Sequence, residues 1–119
     1  MVLVDTSVWL SHFRGDHKDL TELLDKGTVA THPYVIGELA CGDLKNREEI
    51  LALMQDLPMA LPADHDEIRG FIESRRLMRQ GLGIVDVHLL ASALLSDIEL
   101  WTEDRRLAKT AADLDIAFF

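Results

Sequence analysis

The sequence MVLVDTSVW, positions 1–9, joins a short apolar run to an acid and two hydroxyl side chains. A run of about four apolar residues suits a buried strand better than a helix. Thr6 and Ser7 then offer hydroxyls that can cap a helix, and an apolar helical pattern begins at Val8. The stretch therefore predicts a strand that ends at Asp5 and leads directly into a helix.

The same alternation of strand and helix continues along the chain. Short apolar strands are predicted at 1–4, 28–32, 57–61, 98–102 and 116–119. Seven helices are predicted between and after these strands. The first ends at Gly15, the second runs from a cap at Asp16 to Gly27, and the third spans Pro33 to Gly42. The fourth follows a cap at Asn46, the fifth runs from Asp64 to Gln80-Gly81, the sixth begins at Asp86, and the seventh spans 104–112. The pattern is typical of an α/β fold with a central parallel sheet of four to five short strands, flanked by helices on both faces.

The composition limits the class of protein. A chain of 119 residues fits one domain, spanning 1–119. No stretch approaches the roughly 20 apolar residues that cross a bilayer, and the N-terminus lacks the basic and apolar regions of a secretory signal. The single cysteine, Cys41, cannot form an internal disulfide and is expected to be a small core residue. These features predict a cytoplasmic protein with no membrane association.

The net charge of −9 argues against a protein that coats nucleic acid, because phosphate binding normally requires a basic surface. A nuclease remains compatible with this charge. Part of the negative charge can belong to a metal site, where a bound cation reverses the local sign.

Four acids stand out by position. Asp5 and Asp104 follow predicted strands, and Asp86 opens a predicted helix. Ligands of open parallel sheets gather at the carboxyl ends of the strands, which predicts a shared edge for these three. Glu38 lies among apolar neighbours in the sequence VIGELAC, positions 35–41, where a buried charge would need a compensating cation or hydrogen bonds.

Oxygen ligands without a histidine or cysteine cluster favour Mg²⁺ or Mn²⁺ over zinc. Such a site is suited to phosphodiester hydrolysis. Each acid also has a structural explanation: Asp86 and Asp104 as helix caps, Asp5 as a turn residue and Glu38 as a surface residue. Sequence spacing alone leaves open whether the four converge.

Other polar and aromatic residues give weaker signals. The five histidines match no zinc-binding spacing, although His88 lies close to Asp86 in sequence. Trp9 and Trp101 flank acidic positions and can stack bases, but core packing is the favoured role for both. Basic residues cluster mostly on predicted helix faces, and one group after Asp104 is placed to position an RNA backbone. That group is Arg105, Arg106 and Lys109.

Four segments, in order, resemble the successive motifs of PIN-domain proteins, and more narrowly those of VapC-type toxins of bacterial and archaeal toxin–antitoxin modules. They are MVLVDTSVW at 1–9, ELACG at 38–42, DVHLLASA at 86–93 and LWTEDRRL at 100–107. The resemblance covers essentially the whole chain.

The resemblance implies a PIN-like fold and an endoribonuclease that uses Mg²⁺ or Mn²⁺. It implies a homodimer, a VapB-like antitoxin that blocks the site, and an RNA substrate, commonly transfer RNA or ribosomal RNA loops. Its acidic quartet would be Asp5, Glu38, Asp86 and Asp104. Ser7 or Thr6 would help to hold water or metal, and Thr102 would support the site.

Two other functions compete with this interpretation. A Mg²⁺-dependent phosphatase of the haloacid-dehalogenase type also has an Asp after its first strand, but it requires a second Asp two residues later. That position is Ser7 here. A non-catalytic binding module with the same fold is the second alternative, and the presence of all four acids weakens it.

Overall fold

The computed structural model describes residues 1–15 and 17–119. Its strands are β1 (Val2–Val4), β2 (Val29–Ala30) and β3 (Glu99–Trp101). Its helices are α1 (Thr6–Gly15), α2 (Lys18–Asp25), α3 (Pro33–Ala40), α4 (Arg47–Gln55), α5 (His65–Arg75), α6 (Ile84–Ser96) and α7 (Arg105–Asp113). The predicted cap at Asp16 lies outside the described residues.

The sheet is parallel, with β1 between β2 and β3. Leu3 of β1 pairs with Ala30 on one side and with Leu100 on the other. All three residues of β1 are buried, as expected for a central strand covered by helices. Strand order reverses at β1, so the ends of β1 and β3 form the crevice in which such folds bind ligands. Asp5 and Thr102 stand at those two ends.

The expectation of four to five strands was wrong, because the described residues form three. Segments 57–61 and 116–119 instead make single-residue bridges, between Thr31 and Met59 and between Leu100 and Ala117. Each bridge has two backbone hydrogen bonds. Prolines at 58 and 62 remove two of the donors that a longer ladder would need. Both segments therefore extend the sheet edge without becoming strands.

Three helix boundaries also differ from the prediction. Helix α5 ends at Arg75, because Arg76 adopts a left-handed conformation with φ of 54°. Helix α6 begins at Ile84, so Asp86 lies at its third position. Asn46 precedes α4 but is itself left-handed, and its side chain makes no capping hydrogen bond. Periodicity located these helices correctly and their ends less well, because turn geometry decides where a helix stops.

The main core packs the sheet against α1, α2, α3, α6 and α7. Trp9 and Trp101 are both buried in it, which confirms the expected packing role. Cys41 is exposed at the end of α3, so its predicted place in the core was wrong. Within residues 1–15 and 17–119, none of the helices has the length and apolarity required to cross a membrane.

Candidate active site

Asp5 is a buried carboxylate at the end of β1, with 7% of its surface exposed. Its backbone N–H donates to the Trp101 carbonyl at 2.9 Å, which ties the end of β1 to β3. Its Oδ2 accepts hydrogen bonds from Ser7 Oγ at 2.8 Å and from Thr102 Oγ1 at 2.7 Å. Two hydroxyl donors to one oxygen stabilise the ionised carboxylate and fix its orientation.

The same two hydroxyls also order the loop after β3. Thr102 Oγ1 accepts from the Asp104 N–H at 3.0 Å, and Ser7 Oγ accepts from the Glu103 N–H at 3.0 Å. The two hydroxyl oxygens lie 3.3 Å apart, but each has given its only proton to Asp5. Thr102 therefore joins Asp5 directly to the backbone of Asp104, as the supporting role expected of it requires.

Glu38 is an exposed residue of α3, which corrects the reason for selecting it. The helix buries Val35 and Leu39, four residues apart, and turns Glu38 outward, so its apolar neighbours in sequence do not surround it in space. Its Oε1 accepts from Thr6 Oγ1 at 2.7 Å. Thr6 thus connects α3 to the start of α1, next to Asp5.

Asp86 and Asp104 both cap helices, as their structural explanation predicted. Asp104 is the N-cap of α7 and its Oδ1 accepts from the Leu107 N–H at 3.0 Å. Asp86 Oδ2 accepts from the Gly83 N–H at 3.1 Å, at the start of α6. Helix N-termini favour these negative charges. Capping occupies one oxygen of each carboxylate and leaves the other available.

The charges of the other three acids act on Asp86. Burial raises the pKa of the Asp86 carboxyl above its ordinary value of 3.8, while the hydrogen bond from Gly83 lowers it. The negative charges of Asp5, Asp104 and Glu38 raise that pKa further. Carboxylates affect one another in this way only over short distances, because water and salt screen longer ones. The structure therefore brings the four predicted acids to one region.

Their separation is nevertheless too large for a preformed metal cage. Among residues 1–15 and 17–119, no group of three or more histidine, cysteine or acidic side chains is close enough to hold a metal ion. The ligand type still fits a hard divalent cation, since every candidate donor is a carboxylate oxygen.

Glu103, next to Asp104, points to different partners. One of its oxygens accepts from Ser11 Oγ, and the other lies 3.6 Å from His17 Nε2. The charge of Asp104, in contrast, raises the pKa of Asp86. This orientation favours Asp104 as the acid of the pair that faces the other three.

Gly83 was missed by the sequence analysis, although its N–H holds Asp86 in place. The sequence did contain a signal for this contact, because Gly83 is followed three residues later by Asp86. This is the spacing of a capping box, in which the acid accepts from the N–H of the N-cap residue. Glycine has no side chain to complete the box. Only the acid drew attention in the sequence.

The family model of the PIN domain matches residues 2–113, nearly the whole chain. The chain belongs to the PIN-domain family. Ribonuclease VapC32 of Mycobacterium tuberculosis, in strains CDC 1551 / Oshkosh and ATCC 25618 / H37Rv, is 43% identical to it over 118 residues. This alignment covers 98% of the chain and 95% of the relative. The PIN domain is thus of the VapC type, as the four motifs suggested.

A solved structure supports the fold of this PIN domain independently. The crystal structure of PAE2754 from Pyrobaculum aerophilum superposes with a TM-score of 0.63 at 19% sequence identity. The superposition covers 91% of this chain and 77% of the other. At this identity the likeness concerns the fold alone, and it agrees with a PIN-like parallel sheet flanked by helices.

Replacing Thr102 by valine should lower the free energy of unfolding of the PIN domain by about 1–2 kcal/mol. Valine has the same shape but loses the donor to Asp5 and leaves the Asp104 N–H without its acceptor. Thr102→Ser keeps the hydroxyl and is the matched control. Urea unfolding of the three proteins measures the effect. Equal stability of the valine variant and the parent would show that this hydroxyl does not hold the loop.

Proposed function

We propose that this chain, acting as one domain over 1–119, is the toxin of a toxin–antitoxin module and an endoribonuclease that hydrolyses RNA phosphodiester bonds at a divalent metal site. The observation that carries the proposal is that the negative charges of Asp5, Glu38 and Asp104 all raise the pKa of Asp86. The name and the 43% identity of the mycobacterial ribonuclease support the choice of RNA as substrate.

The four carboxylates would hold Mg²⁺ or Mn²⁺. Each has one oxygen in a hydrogen bond within the chain, and its second oxygen has no such bond among the described residues. The second oxygens are therefore available as ligands. When bound, the cation would offset phosphate charge and activate a water molecule for attack on phosphorus.

The protein's own groups would orient the site. Ser7 and Thr102 fix Asp5 through its Oδ2, and Thr6 fixes Glu38 through its Oε1. Burial and the neighbouring negative charges raise the pKa of Asp86, so protonation of this carboxyl would compete with a bound cation as the pH falls. We expect metal affinity to rise with pH until this carboxyl is fully ionised.

No observation favours the phosphatase of the haloacid-dehalogenase type. In place of that family's second aspartate, Ser7 donates to Asp5 and accepts from the Glu103 N–H. A hydroxyl in this position orders the loop and cannot act as a second carboxylate. The binding-module alternative is separated from the nuclease by the experiment below.

The proposal includes a VapB-like antitoxin and a homodimer. An open apolar cleft of about 400 Å³ lies between α1, α2 and α4, and Phe13, Leu24 and Leu53 line part of it. Phe13 also lines a second cleft of about 440 Å³ beside it, together with Leu10. The apolar lining of the first cleft suits the apolar face of a partner helix, whereas charged side chains, among them Arg14 and Asp43, also line the second.

Purified protein, freed of any bound partner, should cleave transfer RNA or ribosomal RNA in Mn²⁺ or Mg²⁺ and lose this activity in EDTA. Gel analysis of the RNA fragments, with p-nitrophenyl phosphate tested in parallel, measures both reactions. Hydrolysis of the monoester without RNA cleavage would favour the phosphatase. Absence of both reactions in Mn²⁺ would favour the binding module.

A further inference from the structure

Arg106 lies across the loop that leads into α6. A methyl group added at Gly81 would stand 2.8 Å from Arg106 Cδ and 3.0 Å from its Nη1. Such contacts are too close, so the outer half of the arginine occupies the space that a side chain at Gly81 would need. Gly81 also has φ of 76°, a conformation that favours glycine. Only glycine at this position leaves the guanidinium where it lies.

This contact places the Arg106 side chain over the loop that leads to Asp86. Gly81 lies two residues before Gly83, and the Gly83 N–H donates to Asp86. The Cα atoms of the two glycines are therefore at most about 7.6 Å apart. Arg106 itself follows Asp104 by two residues, in the first turn of α7. Its side chain therefore connects the segment of Asp104 to the segment of Asp86.

The charge of Arg106 is not neutralised within the described residues. The two ion pairs found there are His17–Glu103 and Lys109–Asp113, and neither includes Arg106. Its guanidinium also makes no hydrogen bond there, although its carbonyl accepts from Thr110. The four acids are hydrogen-bonded to hydroxyls and to the backbone. Five N–H donors on a fixed fork are thus available at the edge of the acidic region.

We propose that Arg106 binds a phosphate of the RNA backbone next to the scissile phosphate and holds the strand against the acids. The inference rests on the proposed ribonuclease function. A chain with net charge −9 repels RNA, so an unpaired cation at the edge of the site has a large effect on binding. Guanidinium and phosphate also match in geometry, since the fork can donate two parallel hydrogen bonds.

Steady-state cleavage of a 12-nucleotide RNA in Mn²⁺ tests this role by comparing Arg106→Ala with Arg69→Ala. Arg69 is an exposed arginine of α5, and its replacement removes the same charge. We expect Arg106→Ala to raise KM about tenfold with kcat changed by less than about threefold. Arg69→Ala should change KM by less than about threefold. Equal KM values in both variants and the parent would overturn the proposal.

A binding measurement separates this role from packing against Gly81. Fluorescence anisotropy of the same labelled RNA, in an Asp86→Asn background, gives Kd as a function of KCl. Loss of one phosphate contact should reduce the slope of log Kd against log[KCl] by about 0.7 in Arg106→Ala and leave it unchanged in Arg69→Ala. A lower melting temperature of Arg106→Ala with an unchanged slope would show a structural role only. If the parent cleaves no RNA, the proposed function fails, and the salt slope still decides whether Arg106 binds phosphate.

Discussion

Replacing Asp86 by asparagine should reduce RNA cleavage by about a thousandfold or more. A bound metal supplies several kcal/mol to such reactions, and about 4 kcal/mol corresponds to that factor. Asparagine keeps an oxygen to accept from the Gly83 N–H, so the start of α6 should remain intact. Single-turnover cleavage in saturating Mn²⁺ measures the loss. Asp5→Ala should have a similar effect on the rate.

The same variant should be more stable than the parent when no metal is present. Burial and the charges of three other acids disfavour the ionised carboxyl of Asp86, as its raised pKa indicates, and asparagine removes that cost. We expect the melting temperature in EDTA to rise by a few degrees at pH 7. Glu22→Gln, on the exposed face of α2, removes one negative charge elsewhere and is the control. Retained cleavage by Asp86→Asn, or a fall in its melting temperature, would contradict this assignment.

Acid should destabilise the protein well above the pH at which most carboxylates are protonated, because of His32. This residue is 2% exposed, and burial, with a further contribution from His88, lowers its pKa from 6.5 to about 4. The His32 side chain therefore stays neutral in the folded protein. In the unfolded chain the same side chain takes up a proton below pH 6.5. Stability is fully present above pH 6.5 and is lost as the pH falls toward 4. At about 1.4 kcal/mol per pH unit, the loss is about 3 kcal/mol.

His32→Asn isolates this effect. The Nδ1 atom of His32 caps α3 by accepting from the Tyr34 N–H at 3.0 Å, and asparagine is also a favoured N-cap. The smaller side chain should lower stability at every pH. The slope of the unfolding free energy against pH, between pH 6.5 and 4.5, should become shallower by the amount that corresponds to about one proton taken up on unfolding. His88 has a pKa lowered by burial and by His65, so part of the slope should remain. Identical slopes in the two proteins would exclude His32 as the source.

The sequence predicted the β1–α1 unit because the apolar run, the acid and the two hydroxyl side chains all favour a strand that leads directly into a helix. It also located Asp5 and Asp104, since residues that follow parallel strands meet at one sheet edge. The two outer strands were predicted too long. Strand propensity is a property of the segment alone and does not show that only one residue of the neighbouring strand is available for pairing. The end of α5 was also missed, since Leu77 is buried without being helical.

Glu38 shows how neighbours in sequence can mislead about burial. Its apolar neighbours in sequence suggested burial, whereas the helix places it on the surface beside Thr6. Contacts between residues 32 positions apart cannot be read from spacing. For the same reason, the contact of Arg106 with Gly81 appears only in three dimensions.

Calorimetric titration of Mn²⁺ into metal-free protein at pH 7 is the most direct test of the central claim. We predict saturable binding that weakens by about tenfold or more in variants of each of the four acids. These are Asp5→Asn, Glu38→Gln, Asp86→Asn and Asp104→Asn. Glu103→Gln removes the neighbouring charge and should bind Mn²⁺ as the parent does. Equal affinity in all six proteins, or no saturable binding by the parent, would contradict a metal site formed by these acids.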